Sequence, residues 1–345
     1  MTLPISPPLE PMLARAADAI PAGSGWRYEP KWDGFRVIVF RDGDSVVLGS
    51  RKGQPLQRFF PEILEPLREA MPGRAVADGE IIIATPRGLD FDALQMRLHP
   101  AASRVARLAA ETPSTVVLFD LLAEGDEDLR GAPLVSRRER LLGAVHRHER
   151  VAITPQTADL EEATTWFDKY EGAGLDGLIA KPEDSRYVSG ERGWTKIKHL
   201  RTVDCVVGGY RLEVKDRGVG SLLLGLYDGG GVFHHVGHTS SFSAKEKREL
   251  VDLLAPYVGG DSFGHGRTPG APSRWTRDKE AEWTALRPVL VCEVSFDHLQ
   301  GQRFRHAARF RRWREDRDPR TCTYDQLTPV DAFRLRDIVE LPDTD

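Results

Sequence analysis

Glu29-Pro30-Lys31-Trp32-Asp33-Gly34-Phe35-Arg36 sets a lysine midway between two acids, with a glycine and an arginine close behind. A lysine attacks an electrophile only as the free amine, and its ordinary pKa of about 10.4 keeps it charged at neutral pH. Burial or neighbouring cations must ease the proton off, which is how lysine nucleophiles are activated. Arg36 supplies one such cation. Gly34 permits a sharp turn where a side chain would obstruct a ligand, and Asp33 can brace that turn through backbone amides. Taken alone, the octapeptide also reads as a lysine and an arginine on the rim of a strand.

Outward from this stretch, residues 35–50 read as a β-hairpin, with two β-branched runs about Asp42-Gly43. Upstream, residues 12–20 have helical spacing. Downstream, helices are expected over 60–71, 91–98, 137–146 and 160–170, and strands over 75–84, 115–122, 175–181 and 194–198. Near residue 200 the character changes to short strands around one helix (244–254), the pattern of a small β-barrel. The fold class is therefore α+β, with a first domain over 1–200 and a second over 201–345.

Composition agrees with a two-domain globular chain: 345 residues, 40% hydrophobic and 29% charged. No apolar run approaches the ~20 residues that span a bilayer. The N-terminus has no basic region followed by an apolar stretch, so no signal peptide is expected and a cytoplasmic location is. Cys205, Cys292 and Cys322 form no C-x-x-C pair, against a zinc site or a disulfide framework. The formal net charge is -4, yet residues 303–320 carry eight arginines against three acids. An acidic chain with one basic segment suits a protein that holds DNA on one face and releases it. No G-x-x-x-x-G-K-[ST] occurs, which excludes a P-loop ATPase.

The order of further short motifs is the stronger signal. After Lys31 come Ser50-Arg51-Lys52-Gly53, Asp78-Gly79-Glu80, Leu118-Phe119-Asp120, Asp176-Gly177-Leu178-Ile179-Ala180-Lys181, Trp194-Thr195-Lys196-Ile197-Lys198 and Phe310-Arg311-Arg312-Trp313-Arg314-Glu315-Asp316-Arg317. This series resembles the covalent nucleotidyltransferases, and among them the ATP-dependent DNA ligases of the short, two-domain bacterial ligase C type. The resemblance covers essentially the whole chain. It implies an adenylation domain of antiparallel sheets with flanking helices, followed by an OB-fold β-barrel. It implies nick sealing in DNA repair, ATP as co-substrate, Mg²⁺ or Mn²⁺, nicked duplex DNA as partner, a monomer, and an association with the nucleoid and with repair proteins such as a primase-polymerase.

The resemblance also assigns roles. Lys31 attacks the α-phosphorus of ATP and becomes AMP-lysine. Glu29 accepts from the adenine amino group and Phe119 stacks on the base. Arg36 and Arg51 reach ribose or phosphate oxygens through planar forks, and Glu80 contacts the ribose hydroxyls. Asp176, where relatives commonly have glutamate, is a hard oxygen ligand for the metal, with Glu80 as a second. Lys196 and Lys198 share one face of a strand and point at the α-phosphate. Arg192 is a nucleotide contact if a short deletion before Trp194 is assumed. Arg312 and Asp316 are catalytic in the first step, with Arg314 and Arg317 on the β- and γ-phosphates. The second domain then closes and swings away about residues 200–202. An RNA ligase or an mRNA-capping guanylyltransferase shares the lysine motif, and an OB-fold binding protein with an inactive nucleotidyltransferase domain is the non-enzyme alternative. The Arg-Trp-Arg form of the last motif favours the DNA ligase.

Overall fold

The structure is a computed structural model that describes residues 2–327, apart from 87, 200, 214–217, 261, 264–267, 270–281 and 298, together with 334, 335 and 338. The chain divides into two compact units, 1–199 with 330–345, and 200–329.

The first unit is built on two sheets. Strands β1 (Ala14–Ala17), β2 (Trp26–Pro30), β3 (Phe35–Asp42), β4 (Ser45–Ser50), β5 (Arg74–Ile82), β6 (Thr115–Glu124), β7 (Val151–Ile153), β8 (Gly177–Pro182) and β9 (Trp194–Lys198) carry it. One sheet has the order β1-β9-β8-β2 and the other β7-β6-β5-β3-β4. Pairing is antiparallel except at the edges, where β1 runs parallel to β9 and β7 to β6. The period-two alternation of the hairpin decides what lies on each face. Val37 and Val39 face helices α1 (Leu64–Ala70), α2 (Phe91–Met96) and α4 (Leu134–Ala144), α3 being Ala102–Glu111. Ile38 and Phe40 face the other sheet through Phe119 and Trp194. That second sheet buries its far side, Tyr28, Leu178 and Ala180, under Trp166 and Tyr170 of α5 (Leu160–Tyr170). The expected hairpin about Asp42-Gly43 is present, with Asp42 opposite Ser45.

Two expectations change here. Residues 12–20 do not form a helix. Ala14–Ala17 pairs residue by residue with Trp194–Ile197, because β9 needs a partner for its free edge and tertiary pairing overrides weak helical propensity. Leu335 and Ile338, expected in the second domain, do not stay with it either. They are buried in the first unit in one apolar cluster with Trp166 and Tyr170.

The second unit holds β10 (Arg201–Leu212), β11 (Val219–Tyr227), β12 (Phe233–Thr239), helix α6 (Ala244–Leu254), β13 (Val291–Phe296) and β14 (Arg309–Trp313). Its sheet runs β12-β11-β10-β13-β14, antiparallel and interrupted by bulges. Among the described residues, one parallel bridge joins the two ends, Thr239 to Ala308, with Ala308 N–H donating to the His238 carbonyl at 2.9 Å. Among the described residues, the sheet thus curls back on itself without a closed ladder. Cys205 and Cys292 face each other across β10 and β13, buried and unbonded. Among the described residues, no helix is long and apolar enough to cross a membrane.

Candidate active site

Lys31 follows directly on β2. Its N–H donates to the Gly177 carbonyl at 2.8 Å, and its own carbonyl accepts from Asp176 N–H at 2.9 Å. These bonds lock the lysine to the start of β8. Gly177 is required there: its φ is +123°, and a Cβ would stand 2.0 Å from the Ile197 carbonyl oxygen. Gly34 is equally constrained, since a Cβ would meet the Ile81 carbonyl oxygen at 2.2 Å and Glu80 Cγ at 2.9 Å. The glycine after Lys31 therefore serves close packing of the lysine loop on β5.

The Lys31 ammonium is ion-paired with Asp176 Oδ2. Lys198 Nζ reaches the same oxygen at 2.9 Å. Lys196 is pushed below the ordinary lysine value by burial, then by the charges of Lys198, Lys31 and Arg51, with Asp176 opposing. Lys31, Lys196, Lys198, Arg51 and Asp176 therefore form one cationic cluster about a single carboxylate. Glu80, opposite Arg36 across β5 and β3, stands beside it. Burial lifts its carboxyl to about 7 against the pull of Arg36 and Lys31.

Other expected residues occupy different surroundings. Arg36 is committed to the protein. Its Nε and Nη2 each donate to Asp78 at 2.6 Å, and Nη2 also donates to the Met12 carbonyl at 3.2 Å. Asp78 is fully buried and also accepts from the Tyr187 hydroxyl at 2.6 Å. Only Arg36 Nη1 is without a partner among the described residues, so a two-pronged ribose or phosphate contact is not open to this guanidinium. Phe119 is a buried ring rather than an exposed platform. Arg36 and Lys181 stand over it at 4.5 and 4.6 Å, because β6 is an interior strand buried on both faces. Glu29 is likewise engaged: Lys181 Nζ lies 2.6 Å from its Oε2, and Gln156 Nε2 donates to its Oε1 at 2.7 Å. Arg192 is exposed, with no hydrogen bond or ion pair among the described residues.

The expected metal ligands are not grouped as a metal centre. Among the described residues no cluster of three His, Cys, Asp or Glu side chains could hold an ion. Asp176 holds two ammonium groups instead, and Glu80 is raised by burial.

The C-terminal motif belongs to the second unit. Arg314 Nη1 donates to both oxygens of Asp204, at 3.1 and 3.0 Å, while its Nε and Nη2 each donate to Asp316 at 2.8 Å. Arg312 pairs with Glu293 at 2.7 Å, and Arg317 Nε lies 3.6 Å from Asp204. Arg314 is thus occupied by carboxylates rather than open to a phosphate. Sequence reasoning missed Asp78, Gln156, Asp204 and Glu293. Asp78 stood within a quoted motif; the other three lie in stretches with no local signature.

Residues 11–198 match the ATP dependent DNA ligase domain, and residues 215–317 the ATP dependent DNA ligase C terminal region. The chain belongs to the ATP-dependent DNA ligases. It is 48% identical to DNA ligase C of Mycobacterium tuberculosis, over 98% of this chain and 99% of that one. It is 46% identical to DNA ligase C1 of Mycolicibacterium smegmatis, over 99% of each. These place this ligase with the ligase C type. A Lig E DNA ligase described as a minimal DNA-binding scaffold shares the fold, with a TM-score of 0.56 at 18% identity over 88% of this chain and 99% of that one. As an ATP-dependent DNA ligase, the protein seals nicks through adenylated intermediates.

Proposed function

We propose that Lys31 is the residue that carries AMP, and that Asp176, Lys196, Lys198 and Arg51 make its site. The observation that supports this is the single carboxylate of Asp176 binding both Lys31 and Lys198, with Lys196 and Arg51 adjoining. Asp176 holds the amine in line until its proton leaves. Lys196, Lys198 and Arg51 face the charge that develops on the α-phosphate, which preorganised cations stabilise at no cost in reorganisation. The nitrogen–phosphorus bond forms as the bond to pyrophosphate breaks. AMP then passes from Lys31 to the 5′-phosphate of a nick. The 3′-hydroxyl attacks that phosphate and AMP departs, so the energy stored on Lys31 is used in the final step.

Glu29, held by Gln156 and Lys181, and Phe119 back the base site as buried supports rather than as a surface open to the base. Magnesium, or manganese, fits this site as an ion that arrives on the triphosphate, since such ions take one or two protein carboxylates and keep substrate phosphates and water. Asp176 would hold it, and the ion would neutralise phosphate charge. Nicked duplex DNA is the partner that the exposed arginines of 303–320 suit. Lys31→Ala should abolish covalent labelling by ATP labelled at the α-phosphate, while the variant still unfolds at the wild-type temperature. Persistent labelling would mean that another nucleophile carries the AMP.

A further inference from the structure

We propose that Asp204 is a positioning residue for the C-terminal basic motif, fixing Arg314 and Arg317 so that the motif can act on the triphosphate during adenylation of Lys31. The inference rests on the reading that residues 310–317 serve that first step. Its basis is the count of hydrogen bonds on one guanidinium. Arg314 gives Nη1 to Asp204, and Nε and Nη2 to Asp316. Every nitrogen is engaged, so this arginine cannot also make the planar fork that grips a phosphate. It acts instead as a strut between β10 and the turn after β14. That turn is closed by Arg317 N–H donating to the Arg314 carbonyl at 3.3 Å, so orienting Arg314 also orients Arg317.

Asp204 is suited to anchor the strut. It sits within β10, only 8% exposed, and its backbone is gripped from behind. Gln326 Oε1 accepts from Asp204 N–H at 3.2 Å, and Gln326 Nε2 donates to the Asp204 carbonyl at 3.1 Å. In the adjoining strand Glu293 is in register with Asp204 on one side and with Arg312 on the other, and it pairs with that arginine. The row leaves Arg312 and Arg317 with 62% and 36% of their side chains exposed, against 18% for Arg314. Arg312 and Arg317 are therefore the side chains presented outward, and Arg314 is what aims them. The Arg314 bond also holds the Asp316 carboxyl down to about 2, so this partner stays ionised at any working pH.

The test separates the first step from the last. Asp204→Asn keeps the side-chain shape and removes the charge. Single-turnover formation of AMP-lysine from labelled ATP is compared with sealing of a nick already carrying the 5′-adenylate, which bypasses the first step. Loss of charge-assisted hydrogen bonds should slow adenylation by about 10- to 100-fold at saturating ATP. The KM for ATP and the sealing of the pre-adenylated nick should each stay within about threefold of wild type. Asp204→Glu should recover part of the rate. Unchanged adenylation, or equal losses in both assays, overturns the proposal. Arg317→Ala is run alongside: if it leaves adenylation at the wild-type rate, the role assigned to the motif has failed, whatever Asp204 does. If Asp204→Asn does not fold, Gln326→Ala loosens the backbone that carries this carboxylate and decides by the same two rates.

Discussion

Replacing Glu29 by Gln removes the counter-charge of a lysine that has no access to water. Glu29 is 2% exposed and Lys181 1% exposed, and their charged atoms are 2.6 Å apart. The Phe119 and Trp194 rings stand at 4.6 and 4.3 Å from the Lys181 ammonium, with the charges of Asp120 and Arg36 acting on it as well. Burial already lowers the Lys181 pKa, and Glu29 is the first of the groups that hold it up. Orphaning one member of such a pair costs about 3–5 kcal/mol. For a unit of this size each kcal/mol shifts the melting temperature by about 2–4 °C, so Glu29→Gln should melt roughly 6–20 °C below wild type. Glu29→Gln with Lys181→Met leaves no unpaired charge and should regain most of that loss. The assay is calorimetry at pH 7 without ATP, on the wild type, both single variants and the double. A loss under about 1 kcal/mol for Glu29→Gln, or a double variant showing the sum of the two single losses, would refute the reasoning.

Further outcomes follow from the same geometry. Glu80 is raised from 4.5 to about 7 by burial, so between those pH values the folded protein holds a proton that the unfolded chain releases. Stability must then fall as pH rises through that window; the stability difference between wild type and Glu80→Gln, followed from pH 5 to 7.5, should shrink accordingly, and a flat difference would refute the assignment. Gly34→Ala puts a methyl group against the Ile81 carbonyl and Glu80. It should cost about 1–3 kcal/mol or more and displace the Lys31 loop, seen as a drop of at least about 10-fold in AMP-lysine formation. Wild-type rates in Gly34→Ala would show that the loop has room to move.

Much of the site was legible because its parts are short and strand-borne. Lys196 and Lys198 lie either side of Ile197 on β9, and that period alone puts both on one face. The hairpin after Arg36 was legible from Asp42-Gly43. Pairwise choices within the fold were not. Arg36 reads equally well as a phosphate contact or as the partner of a buried acid. The answer lies with Asp78, 42 positions away along the chain. Lys181 ends a motif at a strand terminus in the sequence, yet it is among the most buried side chains in the first unit, because β8 lies between β9 and β2. The motif at 310–317 reads as a run of positive charge. Its balance emerges only when Asp204 and Glu293 arrive from other strands. The strand at Ala14–Ala17 was hidden because alanine-rich sequence favours helix, and the demand for it comes from an edge some 180 residues later.

The burial of Leu335 and Ile338 in the first unit changes the topology of the molecule. The second unit is an insertion with two covalent tethers, not a tail hung from one. Trimming the chain after residue 327 would remove Leu335 and Ile338 and open the core of the first unit, so a C-terminal truncation perturbs the unit that carries Lys31 as well as the second.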